Sequence, residues 1–339
     1  MLSRVILAAI AIAAVAGRPS SRVSAAIVLG VGGASALLVG GGALGAAAVA
    51  TAPMLIFLTA ALTLAGLAER AGLAERTAGR LARAGGGRTL RLYALVCGCS
   101  AMLTCTVSLD GAVVLMVPLV RALVRRCGVA FTPFFLGAVA VANAASVAVP
   151  EGNPTNLVVM SRLGLSPAAF LGHLLLPGMC AAALCALVPL RRLGPREYTI
   201  GAAQHERPAA RVLMVPWRLA AQITGLLAAL EGLAPPISFR GGGLVALLAV
   251  AGATAAASAV ANNLPVSASV AALATAGPGA YAAMVGLSIG ALATAHGSVA
   301  TLIARDLAGD EADRRWPRMW PVATAGALVC STLLLWTTL

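Results

Sequence analysis

Glu151-Gly152-Asn153-Pro154-Thr155-Asn156 is a polar hexapeptide set between two apolar runs, residues 134–150 and 157–160. In hydrocarbon every unpaired backbone group is costly. A Gly and a Pro that open a helix at membrane depth are therefore tolerated only where the freed backbone lines a protected cavity. The hexapeptide reads as a candidate binding site within a membrane-spanning segment.

The rest of the chain supports that setting. Its 339 residues are 60% hydrophobic and only 10% charged, more apolar surface than a water-soluble core of this size could hide. Apolar runs of about 18 or more residues, each about one bilayer long, recur throughout. They predict an all-α integral membrane protein with about ten membrane segments, its partner being the lipid bilayer. The 24 basic residues are all Arg: six lie in residues 70–91, three in 121–126, five in 191–211 and four in 305–318. By the positive-inside rule these four segments face the cytoplasm, which predicts a multi-pass protein of the cell inner (plasma) membrane. The formal charge of +13 does not indicate nucleic acid, because no basic patch carries interleaved aromatics, which make up 4% of the chain. The seven cysteines are scattered through apolar runs. At about 100° per residue, Cys97, Cys99 and Cys105 point in three directions on one helix, so neither a disulfide framework nor a metal site is expected. With no zinc-ligand pair, no G-x-S-x-G elbow and no P-loop, an enzyme or a cofactor has no support either.

Residues 1–22 begin with Arg4, an apolar run over 5–15 and a cleavage-like Ala14-Val15-Ala16; they read as a signal-like segment or a short first helix. Helices are expected at 23–39 and 53–68, the second ending at Glu69 before a basic amphipathic connector over 70–91. Residues 92–120 contain one charge, Asp110. This run is too long for one crossing and too short for two. With arginines at both flanks it reads as a re-entrant helical hairpin with Asp110-Gly111 at its tip. Residues 131–164 form one crossing broken by the hexapeptide, a helix over 168–190 follows, and 191–211 is a cytoplasmic linker.

The plan then repeats over 212–339 in shortened form. Val215-Pro216-Trp217 opens a helix that reaches Glu231-Gly232-Leu233, much as Ala52-Pro53-Met54 opens one that reaches Glu69. No charge appears between Arg240 and Arg305, and that run holds Asn262-Asn263-Leu264-Pro265 and His296-Gly297-Ser298. The second hairpin, flanked by Pro235-Pro236 with Arg240 and by Gly277-Pro278-Gly279, is expected to enter from outside. The first repeat, 23–190, and the second, 212–339, then read as inverted repeats, each with a re-entrant hairpin and a discontinuous helix, as secondary transporters use for alternating access.

Asp110 and Glu151 are the acids placed well inside the membrane, where an ionised carboxylate costs at least about 2.5–3.5 kcal/mol. Both are candidates for coupling a proton or cation. Asp110 can equally serve as a protonated cap of the second hairpin helix, and Glu151 can lie one turn toward the vestibule. Asn153, Thr155 and Asn156 offer amide and hydroxyl groups beside backbone opened by Pro154, with carbonyls left for a solute or cation. Asn262 and Asn263 would cap the returning helix, whose positive end faces the site; Gly297, Ser298 and Thr301 match the first break in position. Substrate or ion contact by this set competes with capping alone. His296, the one titratable group of its neutral run, is either a proton carrier or a hydrogen-bonded side chain at the break. His173 and His205 lie near loops and carry no such argument.

Four stretches together resemble the arsenite/antimonite efflux permeases of the ion transporter superfamily, which also holds citrate and dicarboxylate carriers and some sodium/proton antiporters. They are Asp110-Gly111-Ala112 with Pro118, Asn143-Ala144-Ala145-Ser146 leading to Asn153-Pro154-Thr155-Asn156-Leu157, Asn262-Asn263-Leu264-Pro265, and Gly297-Ser298-Val299-Ala300-Thr301-Leu302. The resemblance implies a substrate-bearing domain moving against a scaffold, and proton-coupled export of a small inorganic oxyacid such as arsenite or antimonite. The neutral acid would be held by Asn153, Thr155, Asn156 and Asn263, with Asp110 taking the proton. Three departures stand out: Leu109 in place of an Asn, Ala295-His296 in place of a Pro-Ile-like pair, and two helices missing at the start of the second half. A homodimer could supply that packing, and an ATPase subunit is a further candidate partner. The rivals are a citrate or dicarboxylate carrier, a sodium/proton antiporter, and a non-transporting membrane scaffold or degenerate paralogue.

Overall fold

A computed structural model describes residues 2–17, 22–38, 42–201, 217–230, 233, 241–311 and 320–339. Among the described residues fifteen α-helices follow one another: α1 Leu2–Gly17, α2 Arg22–Leu38, α3 Gly42–Arg70, α4 Leu73–Gly85, α5 Thr89–Thr106, α6 Leu109–Cys127, α7 Phe131–Ala145, α8 Pro154–Leu163, α9 Pro167–Leu187, α10 Trp217–Leu230, α11 Leu244–Ala261, α12 Asn263–Leu273, α13 Pro278–Gly290, α14 Val299–Ala308 and α15 Trp320–Thr338. No strand is present among the described residues; an isolated bridge joins Arg88 to Glu197. Val215-Pro216, Glu231-Gly232, Pro235-Pro236, Arg240, His205 and residues 202–211 of the linker lie outside the described residues.

Four of the described helices are long and apolar enough to cross a membrane: Thr89–Thr106, Pro167–Arg192, Leu244–Ala261 and Trp320–Thr338. This is an all-helical membrane protein. Several of the other helices are shorter because the chain interrupts them. At about 1.5 Å per residue, α7 with 15 residues and α8 with 10 reach only about 22 and 15 Å each.

The helices fall into two packing groups. In one, α2 packs against α1, α3 and α10. The α2–α10 crossing depends on two glycines: a Cβ at Gly32 would lie 2.4 Å from the Gly225 carbonyl oxygen, and one at Gly225 would meet the Val28 oxygen. Without a hydrophobic drive between helices in lipid, such close backbone approach supplies dispersion contact. The second group holds α4–α9 and α11–α15. Here the same pairings occur twice: α5 with α7 and α11 with α13, α7 with α9 and α13 with α15. Two further contacts cross between them, α6 on α14 and α12 on α8.

The first hairpin is longer than the 29-residue apolar run suggests, since α5 and α6 extend into the arginine-bearing flanks. Its turn is also earlier than expected, at Val107-Ser108, which leaves Asp110 in the first turn of α6. Ser108 decides this: its hydroxyl accepts from the Gly111 amide at 3.2 Å, and a capping side chain fixes where a helix starts.

The arginine-bearing segments meet at one end of the second group. Arg125 pairs with Glu75 at 2.6 Å and Arg121 with Glu311 at 2.5 Å. The Arg121 guanidinium also donates to the Ala308 carbonyl. The loop after α9 joins them, the Thr89 amide donating to Arg196, the Tyr198 amide to Gly87 and the Gly201 amide to Arg126.

Candidate functional site

The two breaks follow the same backbone path. Val149 (φ −133, ψ 150) precedes the first and Thr294 (φ −133, ψ 158) the second, while Asn153 (φ −148, ψ 133) and Ser298 (φ −131, ψ 151) cap the helices that resume. Gly152 and Gly297 occupy matching places. A Cβ would sit 2.5 Å from the Ser146 oxygen at the first and 2.3 Å from the Ala291 oxygen at the second, so neither turn admits a larger residue without moving.

Each resumed helix starts on a side-chain cap. The Asn153 carbonyl oxygen accepts from the Thr155 amide at 3.1 Å. Ser298 Oγ accepts from the Thr301 amide at 3.0 Å and bonds Thr301 Oγ1 at 2.8 Å. In the second hairpin Asn262 Oδ1 accepts from the Leu264 amide at 3.2 Å.

Four carbonyls at the breaks are filled by protein donors rather than left for a solute. Asn156 Nδ2 donates to the Ser146 and Val149 oxygens at 2.8 and 3.1 Å. In the second half Asn262 Nδ2 donates to His296 O at 2.7 Å and the Asn263 amide to Gly297 O at 2.8 Å. This differs from the expectation drawn from Pro154. The reason is that an amide side chain two residues after the proline replaces the donor that the ring removes.

Between the hairpins and the breaks lies a narrow cleft, open at its mouth and with room inside for about one water, lined by Leu109, Asp110, Asn153, Pro154, Thr155, Asn263, Leu264, Val299 and Ala300. Apart from the Asn153 cap, these are the first two residues of four helices, α6, α8, α12 and α14. Four helix N-termini thus point at one space, each bringing the positive end of a helix dipole, although the first amides of α8 and α12 are already taken by Asn153, Asn262 and Gly297 O. Three polar side chains on the wall have no hydrogen-bond partner among the described residues: the Asp110 carboxyl, the Asn263 amide and the Thr155 hydroxyl. Asp110 is 3% exposed.

Of the residues singled out from the sequence, Asp110, Asn153, Pro154, Thr155 and Asn263 therefore line one cleft. Asn156, Asn262, Gly297, Ser298 and Thr301 sit behind it and hold the backbone. Glu151 lies exposed on the 3₁₀ turn Pro150–Gly152. His296 is buried away from the cleft lining, Nε2 lying 3.2 Å from the Val260 carbonyl oxygen. Sequence reasoning missed Leu109, Leu264, Val299 and Ala300, which a cap-plus-one reading would have found. It also left Asn143 without a role; its Nδ2 donates to Val139 O at 2.8 Å and reaches Thr301 Oγ1 at 3.4 Å, tying the first half to the second break. No His/Cys/Asp/Glu group able to hold a metal ion occurs among the described residues, and the cysteines are free thiols.

Helices interrupted at matched positions around a polar cleft define a membrane carrier in outline. The family model described as citrate transporter matches residues 3–219, more than half of the chain, and the chain belongs to that family. No curated protein matches the chain. The match is consistent with the ion transporter superfamily named from the sequence motifs and suggests a secondary anion transporter.

Proposed function

We propose that this protein is a secondary transporter for a small polycarboxylate of the citrate or dicarboxylate type, bound where the four helix N-termini converge. That convergence carries the reading. Near a helix N-terminus an anion gains about 0.3–1 kcal/mol in exposed settings and up to about 2 kcal/mol where partly buried, and four such ends around one cleft suit a multivalent anion better than a neutral acid. The filled carbonyls point the same way, since a bare cation needs free acceptors.

Asp110 supplies the coupling in this reading. An ionised carboxylate beside a bound anion repels it, so the anion loads when Asp110 carries a proton, and the two cross together. The matched breaks, the doubled helix pairings and the crossed contacts of α6 with α14 and α12 with α8 support two inverted repeats over 23–190 and 212–339, about ten membrane segments in all. The group of α1, α2, α3 and α10 takes the part of the scaffold. Gathering of the basic segments at one end supports a cytoplasmic face there and an inner-membrane location.

A sodium-coupled version is favoured by one observation. Asn143 Oδ1 and Asn156 Oδ1 are buried acceptors with no partner among the described residues, and neutral carbonyl-type oxygens are the ligands sodium takes. Export of arsenite or antimonite by hydrogen bonding remains the alternative by motif resemblance. The deciding experiment is flux in proteoliposomes with citrate, succinate, arsenite, antimonite and sodium, with and without a pH gradient. Citrate or succinate movement driven by the gradient is the expected result. Arsenite flux without carboxylate flux overturns it, and flux of no solute by folded protein favours the non-transporting scaffold.

A further inference from the structure

The basic end of the molecule contains an arginine that the transport cleft does not use. Arg126, in the last turn of α6, lies flat against α4: a Cβ at Gly79 would be 3.2 Å from its Cζ and 3.3 and 3.4 Å from its two terminal nitrogens. Its Nε is buried and unpartnered, and its guanidinium makes no hydrogen bond or ion pair with any described residue. A planar group with five donors, bedded on a glycine and left unbonded, is built for an anion that accepts several hydrogen bonds.

The surroundings say which anion. Residues three or four apart on a helix share a face, so Arg83 stands one turn beyond Gly79 on the face that Arg126 covers, with Arg80 beside it. Both are exposed, and neither has a side-chain partner among the described residues. The acid one turn before Gly79, Glu75, is held by Arg125 at 2.6 Å, and Glu311 is held by Arg121; Glu197 lies on the loop beyond Arg88. α4 itself buries only Ala78, Gly79, Ala82 and Gly85, and leads directly into α5, a helix able to cross the bilayer. Exposed Leu73 and Leu90, 50% and 60% accessible, flank it. A helix with a small-residue face on the protein, a basic outer face and apolar side chains at both ends lies in the headgroup layer.

We propose that the basic surface where Arg126 of α6 lies on α4, beside the Tyr198 side chain packed on Ala82 and Gly85, binds the phosphate headgroup of an anionic phospholipid, with Arg126 and Arg83 as its main ligands and Arg80 at the rim. The lipid fixes the α4–α6 contact at the end of the first hairpin. This inference does not depend on which solute the cleft carries.

The test uses full-length protein in a neutral detergent. Lipid retention is read by native mass spectrometry after delipidation and readdition, and the unfolding midpoint is measured with added phosphatidylglycerol, phosphatidylcholine or sodium phosphate. The expected result is one tightly retained phosphatidylglycerol and a midpoint raised by that lipid alone. The double variant Arg83→Gln/Arg126→Gln should weaken retention at least tenfold, while Arg191→Gln/Arg192→Gln, which removes equal charge from exposed positions after α9, should retain it. Should the first double variant fail to fold, Gly79→Leu decides: it keeps every charge but displaces the guanidinium from its bed, and it too should lose retention. Equal binding of phosphatidylcholine, equal stabilisation by inorganic phosphate, equal loss in Arg191→Gln/Arg192→Gln, or undiminished retention in a folded Arg83→Gln/Arg126→Gln or Gly79→Leu variant each overturns the proposal.

Discussion

At the scale of single residues, the cleft turns on charge and on two turns without a side chain. Asp110→Asn keeps the shape of the side chain and removes its proton exchange. Flux driven by a pH gradient should fall at least tenfold in proteoliposomes, while exchange of the same anion across the membrane persists. Loss of both at equal folded protein would assign Asp110 a structural role instead. Gly152 and Gly297 make a different prediction. Since a Cβ at either would lie well inside van der Waals contact with a carbonyl oxygen, at 2.5 and 2.3 Å, Gly297→Ala should cost more than an ordinary surface Gly→Ala change and cut transport at least tenfold, scored against Gly252→Ala, whose added methyl meets nothing. Equal behaviour of the two variants would show that the break relaxes freely. Asn262 is the one non-glycine residue with positive φ among the described residues, at 72°. Strain of about 1–3 kcal/mol is expected at such a position, and its amide's bond to His296 O is what holds it there.

At the scale of elements, the two hairpins are fastened differently. The tip of the second is bonded to its break through Asn262 Nδ2 and the Asn263 amide; the first hairpin's tip, Val107-Ser108, bonds within the hairpin, to Leu103 O and Gly111 N. Hydrogen exchange should therefore be faster around residues 107–109 than around 262–264 in the protein without substrate. The reverse order would mean that the contacts to the second break are not the controlling ones. The cap of α14 provides a second check. Ser298→Ala removes the acceptor for the Thr301 amide and one of the two partners of the Thr301 hydroxyl, and should destabilise by about 1 kcal/mol, read as a lowered unfolding midpoint in detergent. Ser298→Asn, which restores a cap like Asn153, should recover most of it.

At the scale of the whole molecule, one group of helices carries the cleft and the other crosses itself through glycines. Gly225→Leu would force α2 and α10 apart where backbone meets backbone. Overpacking of this kind costs about 1–3 kcal/mol, so the variant should unfold at lower temperature while the anion affinity of whatever remains folded is unchanged. A matching loss of affinity would show that the two groups act as one body. The sequence by itself determined that the chain is a helical membrane protein and where polar stretches break its helices, because hydrophobic length and Pro/Gly punctuation are local properties; it offered Asp110, Asn153, Pro154, Thr155 and Asn263 only within a longer set of candidates. It also showed that the two breaks match. The tertiary structure alone decided which side of each polar stretch faces the cleft. Asn156, Asn262, Ser298 and Thr301 look like ligands in the sequence but spend their hydrogen bonds on backbone freed by the breaks, and only the path of the folded chain says which carbonyls those are. The apolar Leu109, Leu264, Val299 and Ala300 give no chemical signal, yet they set the cleft wall because they open helices. What they contribute is the dipole ends of their helices, and these converge only when four helices separated by up to 190 residues meet.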